Sequence, residues 1–293
     1  MAERVQRQER ALVLALLASL LLWNLPFGGL VLYPFKLLAT WLHEMSHGVV
    51  MVLSGAGFSH LEIFRDTSGI AFAQRGVGGV GRAAIASAGY MGAAALGAGL
   101  LVVAQTGRRA RGILLGFAIA LALTLLLWVR NDFGMGAVAI GALACVVVGR
   151  FAGEHVSMLV VNFVAAQACV NAVLDIRVLF RPQLVINGEV VGVSDAHNMA
   201  AASFGSAWMW AGIWLGWSFI CFYVALRVSY LRQRAATGAQ APVAPVAGPV
   251  AGAVAGADAD PPLTPDRPAD PPARATEAPP RESDCSDPDR NPA

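Results

Sequence analysis

The sequence predicts an all-α polytopic membrane protein. It should have about six to seven transmembrane helices, a small β-hairpin after the second helix and a disordered C-terminal tail. Three observations carry that prediction. Hydrophobic residues make up 56% of the 293-residue chain and charged residues only 14%, against about 25% charged in an ordinary soluble domain. Seven apolar runs recur, at about residues 11–32, 35–54, 83–105, 112–129, 133–149, 155–176 and 206–227, and most approach the ~20 residues a helix needs to cross the hydrocarbon. Finally, 13 of the 16 prolines fall from Ala236 onward, among Ala, Asp and Gly, a composition that cannot bury a core.

Taken in order, Arg4, Arg7 and Arg10 precede the first run. No small-residue cleavage site follows it, so it is read as a retained span rather than a secretory signal. Pro26, Gly28 and Gly29 are placed to kink it. Residues 55–82 are too polar to span. "FSHLEIF" and "IAFAQ" alternate in part around the turn "RDTSG", which predicts a β-hairpin over about 58–74, leaving through the Gly-rich "RGVGGVGR". The loop 177–205 holds a second strand-like piece, "RPQLVINGEV", and then "SDAHNMA". Two parts result: a multispanning membrane domain over 1–234 and a Pro/Ala/Asp-rich tail over 235–293.

The formal net charge of +2 hides an asymmetry. From Ala236 onward nine acids face four arginines, leaving the remainder strongly basic, mostly through arginine at the ends of apolar runs. That pattern suits basic cytoplasmic loops beside a phospholipid bilayer and argues against a nucleic-acid partner. Placing Arg108, Arg109 and Arg111 in the cytoplasm with Arg227, Arg232 and Arg234 puts the N-terminus outside, against its own arginines. Cys145, Cys169 and Cys221 lie in apolar runs and Cys285 in the tail, with no CxxC, so neither a disulfide framework nor a thiolate metal site is indicated.

The second run carries the chemistry. His43-Glu44-Met45-Ser46-His47 is HExxH. On a helix, positions i and i+4 share a face, so both imidazoles reach one metal ion, with the intervening Glu44 beside them to take a proton from a metal-bound water. Ionisable groups at the bilayer centre cost about 2.5–3.5 kcal/mol each on insertion scales. Such a cluster in a chain with five histidines points to a Zn2+ centre rather than core polars bonded to one another.

A catalytic zinc site takes three protein ligands. The extension HExxHxxGxxH is absent, since Val50 and Leu53 occupy its Gly and His positions. Run 155–176 supplies Gln167, Asn171 and Asp175 at intervals of four, on one helical face. Asp175 is the only acid within that span and is the expected third ligand. Asn171 and Gln167 are suited to orienting ligands or holding a substrate carbonyl. His197, Glu154 and Glu189 are alternative ligands. His197 with Asp195 in "SDAHNMA" is also placed to contact the site, although Ser194 or Asp195 there reads first as a helix N-cap.

With "HEMSHG" and "NAVLDIR" this chain resembles the site-2 protease family of intramembrane zinc metallopeptidases. Leu174-Asp175 matches that family's Leu-Asp pair, and Ile176 stands where the family has Gly. The order HExxHG, hairpin, "SAGYMGAAALGAG" resembles a compact bacterial branch without PDZ or CBS domains. Ser87, Gly89, Gly92 and Gly97 there allow close helix packing. The resemblance covers about residues 10–228. It implies hydrolysis of peptide bonds in or near membrane-spanning segments of a membrane-protein substrate, with zinc on His43, His47 and Asp175 and Glu44 as general base. The hairpin would offer an edge strand to the substrate. The competing class is a non-catalytic membrane scaffold or sensor, or an ion- or proton-handling protein using the same polar cluster. The Ala-, Arg-, Gly- and Pro-rich composition points to a high-GC bacterium and its plasma membrane.

Overall fold

The computed structural model describes residues 21–22, 25–104, 106–174, 183–186 and 189–238. The tail beyond 238, most of the first apolar run and Asp175 lie outside the described residues. Within them are seven helices and two β-hairpins. Their order is α1 (Gly28–Leu53), β1 (Phe58–Ile63), β2 (Gly69–Ala73), α2 (Gly79–Val103), α3 (Gly107–Leu127), α4 (Asp132–Phe151), α5 (Glu154–Leu174), β3 (Gln183–Ile186), β4 (Glu189–Val193), α6 (Asp195–Ala202) and α7 (Ala207–Gly238). Four helices are long and apolar enough to cross a membrane: α2, α3, α4 and residues Ala207–Arg232 of α7. Their large apolar side chains are widely exposed, Ile140 and Leu143 on α4 and Leu126 on α3 among them, as a lipid-facing surface requires. Of the three helices outside that set, the two long ones, α1 and α5, bury polar residues: Glu44, Ser46 and His47 on α1, and Ser157, Asn162 and Gln167 on α5.

The break expected between the first two runs lies elsewhere. The chain turns at Leu25–Phe27, where the Gly28 N–H donates to the Leu25 carbonyl, and α1 then continues through Pro34 to Leu53. The hairpin forms where alternation placed it. Its register pairs Ile63 with Gly69, Leu61 with Ala71 and Phe58 with Ala73, with an irregularity between Phe58 and His60. The outer edge of β1 is covered: Leu61 N–H donates to the Trp128 carbonyl (2.9 Å) and Arg130 N–H to the Leu61 carbonyl (3.2 Å). Asn131 closes the end of β1 through both its amide atoms, accepting from Ile63 N–H and donating to the Ile63 carbonyl. The turn is strapped to α1, where Tyr33 donates to the Arg65 carbonyl and Thr40 Oγ1 to that of Thr67 (2.6 Å). Thr67 holds a left-handed φ of 70° there.

Small residues let α2 serve as the central post. Ala86, Ala88, Gly89, Ala93, Ala94 and Gly97 are buried on it. A Cβ at Gly92 would meet Ser46 of α1 at 2.6 Å, and one at Gly97 would meet the Ala165 carbonyl of α5 at 2.8 Å. Such close backbone approach is how helices associate where lipid leaves no hydrophobic drive. Two apolar clusters flank the post. The larger joins α1, β1, α3, α4 and α5 through Trp41, Leu61, Leu121, Val138 and Val164. The smaller holds α6 against α2 and α7 through Tyr90, Ala196, Met199 and Trp214. It is the smaller cluster that positions the site.

Candidate metal centre

His43 and His47 lie one turn apart on α1, and their Nε2 atoms are 3.1 Å from each other. Each has its own support. His47 Nδ1 lies 2.6 Å from the Ile85 carbonyl of α2; donating its proton there leaves Nε2 with a free lone pair. The ring of His43 stands edge-on to Tyr90, with centroids 4.7 Å apart, and Tyr90 stacks on Trp214 of α7. The carboxylate that completes the triangle is that of Asp195, whose Oδ2 is 3.1 Å from His43 Nε2 and 3.2 Å from His47 Nε2. Burial opposes ionisation of Asp195, but His47 and His43 outweigh it and hold the carboxyl well below the usual range.

Asp195 is the first residue of α6. Ser194 takes the N-cap position without a side-chain cap bond, and its hydroxyl meets His197 Nδ1 at 2.8 Å instead. The Asp195 carboxylate is therefore turned toward the imidazoles rather than spent on its own helix. Asp175, the expected ligand, lies outside the described residues. Gln167 is fully buried in α5 and does not line the cavity around the histidines. Asn171 lies in the last turns of α5, with its side chain outside the described set. Of the alternatives, Glu154 starts α5 against Gly107, and His197 is engaged by Ser194.

Glu44, 5% exposed, sits beside the triangle and takes the Ala71 N–H of β2. Two glycines make room for this group. A Cβ at Gly69 would come within 2.8 Å of Glu44 Cγ and of Thr40 Cγ2. A Cβ at Gly89 would lie 2.3 Å from His43 Nε2 and 2.4 Å from His47 Nε2. The cradle over the two nitrogens thus stays open only because position 89 has no side chain. Around these residues is a cavity of about 920 Å³, lined on one side by Gly69–Ala71 of β2 and on another by Gly192–Asp195.

The donor set fits a zinc ion. Bonds of about 2.0–2.2 Å in a tetrahedron place neighbouring donors about 3.3–3.6 Å apart, slightly wider than the separations here, and two histidines with one carboxylate is a known catalytic set. His43, His47 and Asp195 form the metal-capable group among the described residues. Residues 12–225 match the Peptidase M50B-like family. The chain belongs to that family. M50B-like membership places it among the site-2 proteases, in agreement with the HExxH helix and with the four apolar helices around it. It is accordingly a membrane protein of a peptidase family, with a site able to hold a metal. No curated protein and no solved structure matches the chain.

Proposed function

We propose that this chain is an intramembrane zinc metalloprotease that hydrolyses peptide bonds in or near membrane-spanning segments of other proteins, in a bacterial plasma membrane. One observation carries the reading: the donor atoms of His43, His47 and Asp195 converge to 3.1–3.2 Å beside the buried Glu44. His43, His47 and Asp195 would hold the ion, with Asp195 taking the place the sequence assigned to Asp175. When bound, zinc supplies Lewis acidity that brings the pKa of a water to about 7. Glu44 accepts the proton of the attacking water at its carboxylate and returns it to the leaving amine. The Ala71 N–H holds that carboxylate in place.

Zinc per chain in detergent-purified protein tests the ligand set. Wild type and Asp175→Ala are expected to carry about one ion each, and Asp195→Ala at least tenfold less under the same free-zinc concentration. Wild-type protein that is folded yet free of zinc would move the reading to a non-catalytic scaffold or an ion-handling role.

The hairpin suits substrate alignment, because β2 keeps an open edge on the cavity while the other edge of β1 is covered. Ala71 N–H points away from β1, toward Glu44; by the strand's period of two, so does that of Ala73. Proline at 73 removes an outward donor and leaves the β1–β2 ladder intact. Ala73→Pro is expected to retain zinc and to cleave a susceptible single-span segment about tenfold more slowly, the cost of roughly one hydrogen bond to a bound strand. Unchanged cleavage would remove the edge from the mechanism.

A further inference from the structure

We infer that Arg75 and Arg82 select segments carrying an acidic residue three to five positions to one side of the cleaved bond. The inference rests on the peptidase reading above and names the substrate chemistry of the same site. Both arginines line the cavity that holds the HExxH residues and Asp195. Arg75 lies in the Gly-rich strap that links β2 to α2, and Arg82 in the first turn of α2. Arg75 Nε donates to the Gly55 carbonyl at 2.7 Å and Arg82 Nη2 to the Ala201 carbonyl at 3.3 Å. Those contacts steady the guanidinium groups without neutralising them. Among the described residues every ion pair involves a histidine, and neither arginine has a carboxylate partner.

The carboxylates of the cavity are engaged elsewhere. Asp195 lies between the imidazoles and Glu44 on the Ala71 N–H. Asp66, in the β1–β2 turn, accepts from both the N–H and the hydroxyl of Ser68. Asp66 precedes β2 and Arg75 follows it, and with Arg65 turned onto Phe133 outside the cavity, the cavity lining along the open edge of β2 runs from an acidic end to a basic one. An acidic residue is repelled at the first end and attracted at the second.

Spacing sets the position. Ala71 is the β2 residue at Glu44, and Arg75 is four residues farther along. Strands paired side by side advance together by about 3.3 Å per residue. The partner residue beside the guanidinium groups is therefore three to five residues from the one over Glu44. The strap leaves room for it, since a Cβ at Gly76 or Gly78 would meet nothing within 4 Å.

The test uses full-length Glu44→Gln protein in phosphatidylcholine nanodiscs, to capture a library of single-span segments with randomised flanking octapeptides. Captured sequences should be enriched about two- to tenfold in Asp or Glu at one position, the range of one or two solvent-accessible ion pairs. Adding Arg75→Glu and Arg82→Glu should invert the preference to Lys or Arg. The milder pair Arg75→Gln and Arg82→Gln should flatten it. An unchanged preference in these variants, or none in the parent, overturns the inference. So does a preference that disappears when the capture is repeated in nanodiscs containing phosphatidylglycerol, which would mark the arginines as headgroup contacts. Captured sequences that wild-type protein leaves uncut would overturn the peptidase reading and the placement relative to a cleaved bond, while an acidic preference that Arg75→Glu and Arg82→Glu invert would still locate the selection at these arginines.

Discussion

Gly89→Ala protein is expected to purify folded and nearly free of zinc, with at least about tenfold less metal per chain than wild type. The added methyl would lie 2.3–2.4 Å from both Nε2 atoms, too close for either ring to keep its place. Neither ring has slack. His47 is held by the Ile85 carbonyl and His43 by Tyr90. Alanine is a better helix former than glycine, so α2 has no intrinsic reason to unwind. Gly99 of the same helix provides the control, because a Cβ there meets nothing within 4 Å. Gly99→Ala should keep its zinc and its thermal midpoint. Wild-type zinc content in Gly89→Ala would place the ion off the nitrogens that face α2.

Glu44→Gln should separate metal binding from chemistry. Glutamine still accepts the Ala71 N–H and fills the same volume, so the helix and the histidines keep their places. It cannot take a proton. Zinc per chain should match wild type, while cleavage of a susceptible segment falls about 10²–10⁴-fold, the usual contribution of a positioned general base. Cleavage at the wild-type rate would remove Glu44 from the mechanism. An ion-transport defect in a protein that yields no cleaved product would favour the rival class.

Part of this site was legible in the sequence because its cause is local. A histidine pair at i and i+4 with an intervening glutamate needs only helical periodicity to share a face, and α1 supplies it. The first hairpin was equally local, with alternation on both sides of an Asp-Thr-Ser-Gly turn. Asp195 is different in kind. It stands 148 positions after His47 and reaches the histidines only because α6 packs on Tyr90 and Trp214. Nothing in "SDAH" distinguishes a ligand from a helix cap until that packing is known. Asp175, in a Leu-Asp pair at the end of an apolar run, was the stronger local signal. The orientation failed to close for a physical reason too. Arg108, Arg109 and Arg111 sit at the start of α3, while Arg130 follows its other end and Arg65 sits in the hairpin turn near Phe133 of α4. Arginine thus marks both ends of the bundle, and its distribution gives no clear direction.

The covered edge of β1 has a consequence for crowding. A two-stranded ribbon ordinarily presents two rows of unpaired amides, each a template on which another copy can add and polymerise. Here Trp128 and Arg130 use one row, and the other opens on the cavity beside α1. At high density in the plane of the membrane, the outer edge of β1 therefore offers no free row of amides for ribbon-to-ribbon stacking. Deleting the cover, for instance by proline at Arg130, is expected to produce oligomers on a size-exclusion column where wild type gives none through this edge.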